Sequence, residues 1–247
     1  MIGIDVSYHN GKIDWKKVKE ASVKFAILRI GYGMYQNQKD KRFEENYKGA
    51  TSVGIPVGVY LYSYAKNEEE AKREANLCLT WLGNKDLKLP IYFDIEDSSQ
   101  RGINKLVLNN MCKAFCNIIE SRGYWAGIYS NKYWAENIIS GNELGKRYTY
   151  WIAQYNSKCT YKGNYAIWQY SSDGKVNGIS GRVDMNKMVK NIIQGSSSTP
   201  LKKSNEEIAK EVIAGKWGNN PKRKKELEKA GYNYKEIQSI VNKMMKR

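Results

Sequence analysis

The chain reads as an α/β protein: an irregular TIM-like (β/α) barrel with helix-poor closing strands, followed by a small all-α module of three helices. Three observations predict this. Eight strand-like runs recur through the first 194 residues, helical patterns fill the gaps between only the first five, and a small-polar stretch, "QGSSSTP" (194–200), ends the series. Strands alternating with helices imply a parallel sheet, closed or doubly wound, and eight strands favour the barrel.

The runs are "IGIDVSY" (2–8), "KFAILRIGYG" (24–33), "IPVGVYLYSYA" (55–65), "LPIYFDIED" (89–97), "WAGIYSN" (125–131), "YTYWIAQYN" (148–156), "YAIWQYSS" (165–172) and "RVDMN" (182–186). The clearest helix starts at Asn67, an N-cap followed by three Glu that suit the positive end of the helix dipole. A second, "NKLVLNNMCKAFCNIIESRG", ends at Gly123. The tail holds three shorter patterns: "SNEEIAKEVIAGKW" with a Ser204/Glu207 capping box, "PKRKKELEKAG" opened by Pro221 and closed by Gly231, and "NYKEIQSIVNKMMKR". The expected organisation is a barrel over 1–194, a linker over 195–203 and a three-helix module over 204–247.

A hydrophobic content of 41% with 19 Tyr and 7 Trp supplies a globular core, and no run of 18 apolar residues offers a membrane span. The start "MIGIDVSYHN" enters strand alternation directly, without the basic and apolar regions of a signal peptide. Cys78, Cys112, Cys116 and Cys159 lack metal-site spacing and read as free thiols, and with His9 the one histidine, a His-ligated metal or a Ser-His-Asp triad has too few members. No cofactor and no metal is expected. The net charge of +16 calls for an anionic partner, nucleic acid or a bacterial wall; residues 201–247 alone carry 13 Lys and Arg against 6 Glu.

The chemistry concentrates in "LPIYFDIEDSS" (89–99), an apolar run that ends in Asp94, Glu96 and Asp97. Unpaired buried charge is costly, so acids at the end of a buried strand need a reason. Residues i and i+2 of a strand face the same side, about 6.6 Å apart, so Asp94 and Glu96 point together and Ile95 points away. Active-site groups of a parallel barrel sit at the C-terminal strand ends. Asp5 in the first strand and Asp184 in the last join them if the barrel closes. Asp97 reads as a loop cap. Clustered acids without His suit glycoside hydrolysis, with a divalent-metal site for phosphate chemistry as the rival.

Taken together, "GIDVSYHNGKIDW" (3–15), "YFDIED" (92–97), "GIYSN" (127–131), "YWIAQY" (150–155) and "IWQYSSDGKVNGISGRVDMN" (167–186) resemble glycoside hydrolase family 25, the muramidase lysozymes of phage endolysins and bacterial autolysins. The resemblance implies cleavage of the β-1,4 bond between N-acetylmuramic acid and N-acetylglucosamine. It implies Glu96 as general acid/base, Asp94 as the group that orients the 2-acetamido substituent, and Asp5 and Asp184 as holders of the site's hydrogen bonds. It leaves open whether the acetamido carbonyl or water attacks. Tyr62, Tyr129, Trp168 and Gln169 are the expected lining of the sugar cleft, and His9 is expected at its edge or in a structural role.

From Ile208 to Met244 the tail resembles the short cell-wall-binding repeat of certain phage lysozymes, with Trp217, Arg223 and Tyr232 as expected contacts. The implied partner is bacterial peptidoglycan, both glycan strand and muropeptide, with no nucleic acid, no membrane insertion, and self-association through the module as a way for one copy to gain avidity. Synthesis in the host cytoplasm, and action on the wall after release, is the expected route. The alternatives are a chitinase-like hydrolase of N-acetylglucosamine polymers and a non-catalytic peptidoglycan-binding protein; the charge alone motivates a nucleic-acid binder.

Overall fold

A computed structural model describes residues 1–193, 205–229 and 232–245. The chain divides into two compact units, Met1–Pro200 and Leu201–Arg247. The expected linker, together with Ser204 and Gly231, lies outside the described residues.

The first unit is a closed eight-stranded barrel in sequential order. Its strands are β1 (Ile2–Val6), β2 (Ala26–Tyr32), β3 (Val57–Tyr62), β4 (Ile91–Asp94), β5 (Ala126–Asn131), β6 (Thr149–Ala153), β7 (Ile167–Gly174) and β8 (Val183–Met188). Strands β1 to β7 pair in parallel, and β8 runs antiparallel to both β7 and β1. Strand–helix alternation predicts the parallel pairs, and the reversed strand lies in the helix-poor closure. A parallel neighbour needs a crossover of about a dozen residues or more, whereas residues 175–182 suffice for an antiparallel return.

Helices α1 (Trp15–Glu20), α2 (Phe43–Ser52), α3 (Glu68–Leu82) and α4 (Lys105–Ser121) cover the first five strands, and the short α5 (Gly141–Arg147) precedes β6. Asn67 caps α3 by accepting from Glu70 N at 3.0 Å, and Asn104 caps α4 by accepting from Leu106 N at 2.8 Å. Leu108, Met111, Cys112, Phe115, Cys116 and Ile119 form the buried stripe of α4 at helical spacing. Phe115 stacks on Phe93 of β4 with ring centroids 4.5 Å apart.

Alternate strand residues face outward to these helices: Ile4 and Val6, Val57, Val59 and Leu61, Phe93 and Ile95 belong to that outer core. The others fill the barrel, among them Phe25, Ile27, Tyr92, Trp151, Ile167 and Met188. Two glycines make room for them. A Cβ at Gly3 would lie 2.5 Å from the Phe25 ring, and one at Gly127 would lie 2.5 Å from Tyr92.

The second unit holds α6 (Asn205–Ile213), α7 (Lys222–Lys229) and α8 (Tyr234–Met245) around Ile208, Ala209, Val212, Leu227, Ile237 and Val241. Among the described residues, no helix is long and apolar enough to cross a membrane. Cys78, Cys112, Cys116 and Cys159 are all free, the first three buried.

Candidate active site

The inward residues change character along the strands. Toward the C-terminal ends, Asp5 follows Gly3 on β1, Arg29 follows Ile27 on β2, Tyr62 follows Tyr60 on β3, and Gln169 follows Ile167 on β7. Because β8 is reversed, Asn186 and then Asp184 climb to the same rim from Met188. The result is a cavity of about 610 Å³ at that rim, lined by Asp5, Asp94, Glu96 and Asp184 together with Arg29, Tyr60, Tyr62, Tyr129, Trp151, Tyr155, Gln169 and Arg182.

Glu96 is held from one side. Its Oε2 accepts from Asn131 N at 3.0 Å and Asn131 Nδ2 at 2.8 Å, and Asn131 Oδ1 accepts from Trp134 N at 3.0 Å. Burial raises the Glu96 pKa, against the Asn131 bonds and the neighbouring Tyr129 hydroxyl. Asp94 is buried with Oδ1 unpartnered. Its pKa is raised well above the usual range by burial first, then by Glu96 and Asp5, while Arg29 opposes the shift.

Asp5 and Asp184 face each other in register across β1 and β8. Two charges directly opposite repel. Burial, and then the charge of Asp184, push Asp5 up to about 8, although its Oδ2 accepts from Asn186 Nδ2 at 2.7 Å and Gln169 Nε2 at 2.9 Å. Asn186 is itself fixed by Trp151 Nε1, which donates to its Oδ1 at 2.7 Å. The Asp184 pKa is raised by burial, with Arg182 opposing. Among the described residues, no group of three or more His, Cys, Asp or Glu is arranged to hold a metal ion.

Of the expected lining residues, Tyr62, Tyr129 and Gln169 border the cavity. Tyr129 and Tyr155 both donate to Gln169 Oε1, at 2.9 and 3.1 Å. Trp168 does not border it: next to Gln169 on the same strand it must face the other way, and it packs in the outer core with Nε1 donating to Gln154 O at 2.8 Å. Asp97 caps the 3₁₀ turn Ser98–Gln100 through Ser99 and accepts from Tyr62 Oη at 3.1 Å. His9 lies at the cavity edge, its ring 4.0 Å from that of Tyr8.

Arg29, Asn131, Trp151, Tyr155 and Asn186 also build the site, and the strand parity that places Asp94 beside Glu96 places each of them inward. Arg29 Nε pairs with buried Asp40 at 2.9 Å, and its guanidinium lies 5.0 Å from the Tyr8 ring and 5.7 Å from the Tyr32 ring.

In the second unit, Trp217 and Tyr232 pack against the helical core, with ring centroids 6.3 Å apart and Trp217 Nε1 donating to Glu211 at 3.1 Å. Arg223 Nε donates to Gly218 O at 2.8 Å.

Comparison with known proteins matches residues 4–179 to the glycosyl hydrolases family 25 and residues 206–245 to the CW_7 repeat. The chain is 27% identical over 199 residues to the autolytic lysozyme of Clostridium acetobutylicum, covering 80% of this chain and 58% of that protein. It is 31% identical over 199 residues to lysozyme M1 of Streptomyces globisporus, covering 75% of this chain and 66% of that one. The structure of the modular autolysin LytC from Streptococcus pneumoniae, in complex with a synthetic peptidoglycan ligand, superposes with a TM-score of 0.67 at 30% identity, over 75% of this chain and 46% of LytC. The chain therefore spans about half to two-thirds of the length of these relatives. A barrel that gathers its acids at one rim, matched over residues 4–179, makes this chain a member of glycosyl hydrolase family 25.

Proposed function

We propose that this chain is a peptidoglycan hydrolase, an N-acetylmuramidase that cleaves the β-1,4 bond between N-acetylmuramic acid and N-acetylglucosamine. The observation that carries the reading is the one-sided clamp on Glu96. With Oε2 accepting two N–H bonds from Asn131, the proton of the neutral acid resides on Oε1. From there it passes to the glycosidic oxygen as the bond to the anomeric carbon breaks; the acetamido carbonyl or water takes the vacated bond, and the water that completes hydrolysis returns a proton to the Glu96 carboxylate.

Asp94 Oδ1, buried and without a partner, supplies an acceptor for the acetamido N–H. Burial holds the carboxyls of Asp5, Asp94, Glu96 and Asp184 above the usual range, and neighbouring charge adds to the shift at Asp5 and Asp94. Positive charge developing at the anomeric carbon is stabilised by the carboxyl oxygens of Asp94 and Asp184. Asp5 stays fixed by Gln169 and Asn186, holding the shape of this floor.

The match of residues 206–245 to the CW_7 repeat supports a second role, docking to the wall, with Trp217, Arg223 and Tyr232 as contacts. The functional division is a barrel over 1–194, a linker over 195–203 and the module over 204–247. A concentration series in the analytical ultracentrifuge tests self-association through the module. Bacterial peptidoglycan is the partner, and the charge of +16 draws the protein to an anionic wall.

The test is mass spectrometry of borohydride-reduced peptidoglycan after digestion by wild type and Glu96→Gln. Ends of reduced N-acetylmuramic acid from the wild type alone are expected. Reduced N-acetylglucosamine ends, or no new ends, overturn the reading.

A further inference from the structure

One wall of the cleft rests on a buried carboxyl that the bond cleavage does not use. Glu74 on α3 is fully enclosed, and among the described residues no cation pairs with it. Ser63 Oγ donates to its Oε2 at 2.7 Å, and Tyr64 N donates to its Oε1 at 2.9 Å. Ser63 Oγ in turn accepts from Ala65 N at 3.2 Å and from Gln100 Nε2 at 3.3 Å. Gln100 Nε2 also donates to Ala65 O at 2.9 Å, and Ser63 N donates to Asp94 O at 2.9 Å. Ser63 and Gln100 are as fully buried as Glu74. This network joins α3, the stretch after β3 and the turn after β4.

The donors and acceptors fix the direction of these bonds. A serine hydroxyl has one proton and two acceptor sites. Both acceptor sites of Ser63 are filled, so its proton goes to Glu74, and both Glu74 oxygens accept. The arrangement therefore fits a carboxylate. A proton added to Glu74 removes the charge that strengthens the bonds it accepts from Ser63 and Tyr64, and Gln100 Oε1 is a buried acceptor that stands without a partner.

The segment so held forms the substrate-facing wall. Tyr62 borders the cavity and donates to Asp97, which starts the turn that Gln100 ends. Tyr64 packs edge-on against Tyr62 at 5.2 Å and Tyr32 at 6.2 Å. We infer that Glu74 is a positioning residue: as a carboxylate it locks Tyr62–Ala65 to the Ser98–Gln100 turn, and on protonation it releases that wall of the cleft. The inference rests on the cleft being the glycan site.

The changeover falls near neutrality, because burial pushes the Glu74 carboxyl up to about 7 against the bonds from Ser63, Tyr64 and Ala65; release removes those bonds while Glu74 stays enclosed, so the released wall holds the proton more tightly. The ionisable groups around it are Glu70 and Cys78 on its own helix and Tyr64 on the facing stretch. Lys66 and Asp97 lie farther toward the surface, Lys66 donating its backbone N–H to Glu70 at 2.7 Å.

Two measurements decide it. Steady-state kinetics on soluble glycan-strand fragments should show a wild-type KM about fivefold higher at pH 6 than at pH 8, the scale of one hydrogen bond. In Glu74→Gln, KM at pH 8 should equal the wild-type value at pH 6 and stay flat, with the loss in KM and not in kcat. Hydrogen exchange of the wild type, corrected for intrinsic rates, should show Tyr64 N–H protected at pH 8 and less protected at pH 6. A KM that keeps its pH dependence in Glu74→Gln, a parallel fall of kcat and Tm, or equal Tyr64 protection at the two pH values overturns the inference. If the wild type cleaves no glycan, the proposed function falls and the exchange experiment alone decides the clamp; it decides as well if Glu74→Gln does not fold.

Discussion

The two ends of the barrel interior obey the same strand alternation and hold opposite chemistry. At one end Phe25, Leu89, Ile167 and Met188 close the barrel with hydrocarbon; at the other Asp5, Asp94, Gln169 and Asn186 occupy it with acids and amides. Tyr60, Tyr92 and Trp151 lie between, rings packed together with Tyr92 and Trp151 centroids 5.3 Å apart. The apolar end stabilises the fold by removing carbon surface from water. The acidic end costs stability, since its carboxyls are desolvated next to one another. One set of strands thus makes a closed floor that holds the open rim in strain.

If the ends divide stability and chemistry in this way, substitutions at each should separate. Glu96→Gln removes the acid at the rim and is expected to lower the rate of glycan cleavage by up to about 10⁴-fold with Tm maintained or raised; turnover and calorimetry on one preparation check this. Phe25→Ala at the floor should cost about 3–5 kcal/mol in urea unfolding while leaving KM unchanged. Asn131→Ala removes the side-chain bond to Glu96 Oε2 and leaves the backbone one, and a tenfold to hundredfold loss in kcat, about 1.5–3 kcal/mol, is expected from losing a bond to a charged group.

A further effect, read per pH unit, concerns Asp5. Its folded pKa of about 8 exceeds the ordinary 3.8, so between those values the folded chain holds a proton that the unfolded chain has released. Stability therefore falls as pH rises through that window and levels off above it, by at most about 1.4 kcal/mol per pH unit for one proton. Urea titrations from pH 5 to 9 should show this slope in the wild type and a flatter one in Asp5→Asn. A wild-type slope of the opposite sign would contradict the strained rim.

Much of this was legible in the residues. The eight strands, the Asn67 cap and the convergence of Asp5, Asp94, Glu96 and Asp184 follow from alternation, capping chemistry and closure. The direction of β8 does not, because alternation is the same read either way and only the brevity of residues 175–182 bears on it. Trp168 could have been placed correctly, since parity forbids it and Gln169 from sharing a face. Arg29–Asp40 and Trp151–Asn186 join separate elements of the chain, and nothing local in their sequence marks one as the partner of the other.

The reversed last strand also decides the wiring of the barrel. Each parallel strand starts at the floor and each crossover returns there, but β8 starts at the rim and descends. Its end meets its beginning: Met188 N donates to Met1 O at 2.8 Å, and the Met1 amine donates to Met188 O at 3.1 Å. Both ends of the ring of strands therefore emerge on the side away from the acids. A permuted barrel joined there and reopened at another surface loop would leave the cleft untouched.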